Sequence, residues 1–158
     1  GSALVQLAKL RGARVIAFAS EAKHTAIEEL GADVVLLRHP VDLKQKLQSE
    51  LVTVVADIVG GVIWPELIDI LQRGGRYVCS GAIAGPLVEF DLRTFYLRDL
   101  TFLGSTIIDQ AVTKNLINYI EAGQIKPVLA ATFPLKELRQ AQTAFTKKTH
   151  TGNIVVTP

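Results

Sequence analysis

RVIAFASEAKHTAIEELGADVVLL, Arg14 to Leu37, spells out a strand, a helix and a second strand in order. Arg14-Val15-Ile16-Ala17-Phe18-Ala19 is a short apolar run without alternation, as a strand buried on both faces requires. Ser20 stands where a helix N-cap belongs, Ala26, Ile27 and Leu30 recur at helical spacing, and Gly31 takes the C-cap position. Val34-Val35-Leu36-Leu37 is again apolar throughout. Two such strands joined by an amphipathic helix predict parallel pairing through a right-handed crossover.

The same rhythm runs outward from this unit. Ala3, Leu4, Leu7 and Ala8 predict a helix from Ser2 to Leu10, ended by Gly12. Leu43, Leu47 and Leu51 fall on one helix face, and Val52 to Val59 reads as a strand reaching Gly60-Gly61. Trp64, Leu67, Ile68 and Leu71 mark a helix stopped by Gly74-Gly75. Arg76 to Ser80 and Asp99 to Leu103 are further strands, and Leu116, Ile117 and Ile120 mark a helix closed by Gly123. The expected class is α/β, a doubly wound parallel sheet with helices on both faces.

Ligands in such sheets bind beyond the carboxyl ends of the strands. Those ends are Ala19-Ser20, Leu37-Arg38, Val59-Gly60, Ser80-Gly81-Ala82 and Leu103 to Ser105. After Pro127 the pattern changes to a strand at Val128 to Phe133, a helix at Leu135 to Phe145 and a strand at Asn153 to Val156. The expected organisation is therefore a doubly wound domain over 1–127 and a segment over 128–158 built to pack on something else.

Composition narrows the function. Of 158 residues 49% are apolar, enough for a packed core. Lys and Arg total 17 against 15 Asp and Glu, a balance that argues against nucleic acid as a partner. No apolar run is long enough to span a bilayer, so no membrane partner is expected. A single cysteine, Cys79, excludes an internal disulfide and a cysteine zinc cage, and suggests a reducing, cytoplasmic setting.

The text GSALVQLAKLRGARVIA (Gly1 to Ala17), ELGADVV (Glu29 to Val35), VADIVGG (Val55 to Gly61), LQRGGRYVCSGAIAG (Leu71 to Gly85), LTFLGST (Leu100 to Thr106), FPLKELRQAQTAF (Phe133 to Phe145) and TGNIVV (Thr151 to Val156) resembles the nucleotide-binding half of the medium-chain dehydrogenase/reductase family, most closely its quinone oxidoreductase branch. The resemblance implies a Rossmann-like fold whose first strand and glycine-rich turn precede Gly1, the last glycine of that turn. It implies an N-terminal catalytic domain of roughly a hundred residues or more before Gly1, an ordinary domain size. It also implies that any zinc ligands and catalytic residues lie outside this chain, and that nucleotide-binding domains pair as a homodimer along the strand at Leu100 to Leu103. Cofactor contacts are expected from Gly1, Ser20, Lys23, Arg38, Val59, Gly60, Ser80, Gly81, Ala82, Leu103, Ser105 and Lys148.

The choice of cofactor turns on the second strand of the family's fold. NAD-selective sheets place a carboxylate at that strand tip for the ribose 2′-hydroxyl. Here the tip reads Ala19-Ser20, with Lys23 and Arg38 close behind and Lys148 aligned with a further basic contact of some relatives, so NADP(H) is expected. Glu21 is the residue that opposes this, as a displaced ribose ligand. Gly60, Gly81 and Gly104 suit close backbone approach to a ligand or serve as ordinary turn glycines. His24, His39 and His150 read as surface histidines, Cys79 as an inert thiol within a strand, and Asp57 as a carboxylate that orients the loop at Gly60 or is simply structural.

The expected function is the NADPH-binding part of a zinc-independent hydride-transfer enzyme acting on a small carbonyl, enone or quinone, inactive as this piece alone. The alternatives are the corresponding part of a zinc-containing alcohol dehydrogenase, and a non-catalytic dinucleotide-binding module. A methyltransferase on the same sheet is weaker, because it wants an acidic ribose clamp.

Overall fold

The computed structural model describes the whole chain, Gly1–Pro158. It folds as two compact units, one of residues 1–38 with 109–158 and one of residues 39–108. Every strand pair in both is parallel, as expected for the strands before Pro127. No helix is long and apolar enough to cross a membrane.

The first unit opens with α1 (Ser2–Leu10), β1 (Ile16–Ala19), a 3-10 turn (Glu21–Lys23), α2 (His24–Glu29) and β2 (Val34–Leu37). β1 pairs with β2 in register from Ile16↔Val34 to Ala19↔Leu37. Gly31 follows α2 at φ +104°, the left-handed turn that glycine allows. Asp33 fastens this start: its carboxylate accepts the Val15 amide at 2.7 Å and the Lys9 ammonium at 2.9 Å. Ser20 stands at the N-cap position of the 3-10 turn, but its side chain caps nothing.

The chain re-enters this unit with α6 (Gln110–Glu121), β6 (Leu129–Pro134), a 3-10 turn (Leu135–Glu137), α7 (Leu138–Lys147) and β7 (Asn153–Thr157). β6 pairs with β7, Ala131↔Ile154 to Pro134↔Thr157. The Gln6 amide ties α1 to the start of this segment, donating to the Lys126 carbonyl at 3.0 Å and accepting its N–H at 2.8 Å. Buried apolar side chains here are few and mostly small: Val5, Ala19, Ala32, Ile125 and Ala141. The apolar face of α6, Val112, Leu116 and Ile117, is exposed instead. An amphipathic helix whose apolar face is left in water belongs against further surface.

The second unit carries the larger core, with α3 (Leu43–Lys46), β3 (Val52–Asp57), α4 (Trp64–Asp69), β4 (Leu71–Cys79), α5 (Leu92–Tyr96) and β5 (Thr101–Gly104). Its sheet runs β3-β4-β5, so β4 is central and β5 an edge. Leu43, Ile68 and Leu71 are each under 2% exposed, worth about 1.5–3 kcal/mol apiece. Trp64 sits edge-on to Tyr77 and Phe90 at ring-centroid distances of 5.8 and 5.0 Å. β3 buries Val55 and Asp57 while Val54 and Ala56 are exposed, so within this unit only one face of the strand is covered.

Two expected helices are shorter than their apolar spacing suggests. α3 ends at Lys46, and Leu51 lies beyond it, 82% exposed. α4 ends before Leu71, which opens β4, and the Arg98 guanidinium caps that end, donating to the carbonyls of Ile68 and Asp69 at 3.2 Å each and to that of Leu71 beyond it. Gly74-Gly75 therefore lies inside β4, where pairing jumps from Val52↔Leu71 to Val54↔Arg76.

Candidate dinucleotide site

In the first unit Ser20, Lys23 and Arg38 follow the carboxyl ends of β1 and β2. Gly1 is the N-cap of α1, whose first turn has neither a side-chain cap nor an acidic residue, leaving amides and positive dipole free for an anion. The Lys23 ammonium donates to the main-chain carbonyls of Lys148 at 3.0 Å and His150 at 2.5 Å. Burial first, and then the nearby Arg38 charge, hold Lys23 below the ordinary lysine pKa. Arg38 is exposed and in no ion pair, an open fork suited to a phosphate.

Lys148 turns the corner after α7 at φ +55°, with its ammonium 3.5 Å over the Phe145 ring. The structure thus brings Lys23, Arg38 and the Lys148 corner together, with Lys23 spent partly on main-chain carbonyls. His24 and His150 are half-buried rather than on the surface, each with one enclosed ring nitrogen that has no partner. A cavity of about 460 Å³ opens between α7 and the β6-β7 pair, lined by Phe133, Thr143, Lys147, His150 and Ile154 among others.

In the second unit the loops beyond β3 and β4 are knitted to each other. Gly60 bridges Gly85, the Gly61 amide donates to the Gly85 carbonyl at 3.1 Å, and the Ala84 amide to Val59 at 2.9 Å. This crowding explains the glycines. Gly60 has φ +66° and a Cβ there would lie 2.9 Å from the Gly85 oxygen; at Gly81 it would lie 2.7 Å from the Ile58 oxygen. Gly104 meets nothing within 4 Å, so packing does not demand it.

Asp57 anchors the arrangement. It is 6% exposed, and its Oδ1 accepts the amides of Val59 at 2.8 Å and Gly60 at 2.9 Å. Its Oδ2 accepts the Tyr77 hydroxyl at 2.8 Å. Burial, and then that bond, push the Tyr77 pKa far above the ordinary tyrosine value. Cys79 is the last residue of β4, half-buried, its thiol 3.6 Å from the Gly81 carbonyl, rather than in mid-strand. Ser80, Leu103 and Ser105 are exposed at their strand ends, and Ala82 is half-buried in the second loop. No group of three or more His, Cys, Asp or Glu side chains stands together as a metal site.

Sequence reasoning did not find Tyr77, Gly61 or Gly85. An aspartate two and three residues ahead of amides it accepts is a recognisable turn signal, and it does point to the Asp57 half of the clamp. The partner across the sheet depends on register, which one strand does not reveal.

Parallel strands, amphipathic crossovers and anion-ready strand ends define a Rossmann-like nucleotide-binding class. The family model for zinc-binding dehydrogenases matches residues 1–122, and the chain belongs to that family, as the nucleotide-binding half of a medium-chain dehydrogenase/reductase. It is 42% identical, at a TM-score of 0.93, to the solved structure of a candidate alcohol dehydrogenase from Sinorhizobium meliloti 1021, covering 100% of this chain and 45% of that one. It is 29% identical over 156 residues to the acryloyl-coenzyme A reductase of Sulfurisphaera tokodaii, covering 98% of this chain and 46% of the relative. The chloroplastic NADPH-dependent alkenal/one oxidoreductase of Arabidopsis thaliana is 30% identical over 166 residues, with 100% of this chain and 38% of the relative covered. The chain thus spans less than half the length of these relatives.

Proposed function

We propose that this chain is the NADPH-binding part of a zinc-independent reductase that transfers hydride to an activated small molecule, an enone, another carbonyl or a quinone. The observation that carries this reading is the basic corner of Lys23, Arg38 and Lys148 beyond β1 and β2, with no carboxylate at the strand tip. The 2′-phosphate of NADPH would meet Arg38 and the remaining donor of Lys23, and a pyrophosphate would suit the uncapped start of α1. When bound, the dinucleotide supplies the hydride. The residues at the ends of β3, β4 and β5 (Val59, Gly60, Ser80, Gly81, Ala82, Leu103 and Ser105) would hold its nicotinamide end. Enone reduction accords with the names of the acryloyl-coenzyme A and alkenal/one relatives.

The segment over 128–158 would complete a catalytic domain supplied by the rest of a longer chain, which explains the uncovered apolar faces of α6 and the cavity beside α7. A homodimer along β5 and a cytoplasmic setting belong to the same proposal. A zinc-containing alcohol dehydrogenase is the second reading: the Sinorhizobium meliloti structure is named as an alcohol dehydrogenase, and the matching family model as a zinc-binding dehydrogenase. Oxidation of NADPH, but not NADH, by the parent enzyme with an enone, at undiminished rate after exhaustive chelation and with no bound zinc in elemental analysis, would support the first. A zinc-dependent rate with an alcohol would support the second.

A further inference from the structure

We infer that Asp57 is a positioning residue for the nicotinamide end of the dinucleotide, acting through the loop it holds rather than by touching the ligand. This rests on the dinucleotide reading above. The carboxylate is buried and stands in no ion pair, an arrangement that is unfavourable unless hydrogen bonds satisfy it. Three donors do so, and their placement is informative. Two are amides of the loop leaving β3, Val59 and Gly60, and the third is the Tyr77 hydroxyl on the neighbouring strand. One side chain therefore locks the post-β3 loop to β4, and Tyr77 is itself fixed by the Trp64 and Phe102 rings at 5.8 and 5.5 Å.

The locked loop then sets a second one. With Val59 and Gly60 held, Val59 accepts the Ala84 amide and Gly60 and Gly61 pair with Gly85. The Ser80 amide donates to the Asp57 carbonyl at 2.9 Å, and the Cys79 thiol faces Gly81, so the post-β4 loop starts from the same point. Both loops carry candidate cofactor contacts, and neither has a regular element to hold it. Misplacement of binding groups by an ångström is costly to a ligand that must present one ring face. A carboxylate serves here because one oxygen can accept two amides while the other faces the phenol.

The test uses the parent enzyme and two probes, NADPH and adenosine 2′,5′-bisphosphate, which carries the phosphate end without nicotinamide. Asp57→Ala is expected to weaken NADPH roughly tenfold or more and the bisphosphate by less than about twofold, since only the loop anchors are lost. Asp57→Asn keeps the amide acceptor and can donate to Tyr77, and is expected to restore NADPH binding to within about threefold. Tyr77→Phe leaves both amide contacts and provides a milder variant if the alanine protein does not fold; it should loosen NADPH alone, by about threefold. Equal losses for both probes would make Asp57 a general stability residue, and unchanged NADPH affinity in the alanine and phenylalanine variants would likewise overturn the inference. An asparagine variant as weak as alanine would assign the effect to charge instead of position. Failure of the unaltered enzyme to bind either probe would overturn the dinucleotide reading itself.

Discussion

The Lys23 ammonium bonds to the main-chain carbonyl of His150 at 2.5 Å, across 127 positions of sequence. With the Lys148 carbonyl at 3.0 Å, this fastens the turn after β1 to the corner between α7 and β7. Such charge-assisted bonds are worth more than neutral ones, discounted here for partial exposure. Lys23→Met is expected to cost about 1–2 kcal/mol in urea unfolding, where a purely solvated lysine would cost close to nothing.

The loop glycines should separate by their surroundings. Gly60→Ala combines a left-handed φ with a clash against the Gly85 oxygen, and Gly81→Ala clashes with the Ile58 oxygen. Each is expected to lower stability by about 1–3 kcal/mol. Gly104→Ala, in open space at an ordinary φ, should fall within about 0.5 kcal/mol of the parent. Thermal unfolding of the three variants side by side checks the order.

The apolar strands and the βαβ crossover from Arg14 to Leu37 were legible because each is a local pattern. α3 and the end of α4 were not, because Leu51 and Leu71 continue a helical spacing that the chain leaves after Lys46 and after Asp69. Arg98, 27 residues beyond Leu71, caps the end of α4, and nothing near Leu71 signals it. The basic corner was legible by type, since Lys23 and Arg38 follow strand ends. Lys23's carbonyl partners were not, because they arrive from the far end of the chain. His24 and His150 looked like surface residues beside charged or loop neighbours, whereas packing encloses one nitrogen of each.

Stability should depend on pH in opposite senses at two residues. The Val15 amide, and then the Lys9 ammonium, hold the Asp33 pKa below the usual carboxylate range. Its contribution is present above the ordinary value of about 4 and is lost as pH falls through the folded value. The Tyr77 pKa is raised, chiefly by burial, so its contribution is present below the ordinary value of about 10 and declines as pH rises past it. Melting temperature against pH should show a shallower acid limb in Asp33→Asn and a shallower alkaline limb in Tyr77→Phe. Limbs unchanged from the parent would refute the two assignments.

The edge of the second unit offers a test of assembly. β5 pairs only with β4, and Leu103, Ile107 and Ile108 are 48%, 93% and 74% exposed along it and just after it. Apolar residues at an open edge invite a second strand unless something covers them. If two copies of the parent enzyme meet here, Ile107→Lys places a charge in the interface and should shift dimer toward monomer in sedimentation. An unchanged mass would dismiss this edge as the contact.

The sharpest test of the proposed cofactor is Arg38. The 2′-phosphate that separates NADPH from NADH carries close to two negative charges and several acceptor oxygens. Arg38 offers it a planar fork, and Lys23 keeps one donor beyond the two it gives to carbonyls. Arg38 is exposed, so screening limits its contact to about 1–2 kcal/mol, a five- to thirtyfold change in affinity. Arg38→Ala should therefore weaken NADPH by that factor and leave NADH nearly untouched, and the parent's preference for NADPH should shrink as salt is raised. Glu21, exposed beside this corner, would repel the phosphate slightly but is free to turn toward water. Fluorescence titration of the parent enzyme with both cofactors at two ionic strengths decides the matter. Tighter binding of NADH, or equal losses for the two cofactors in Arg38→Ala, would give the ribose to Glu21 and remove the phosphate from this corner.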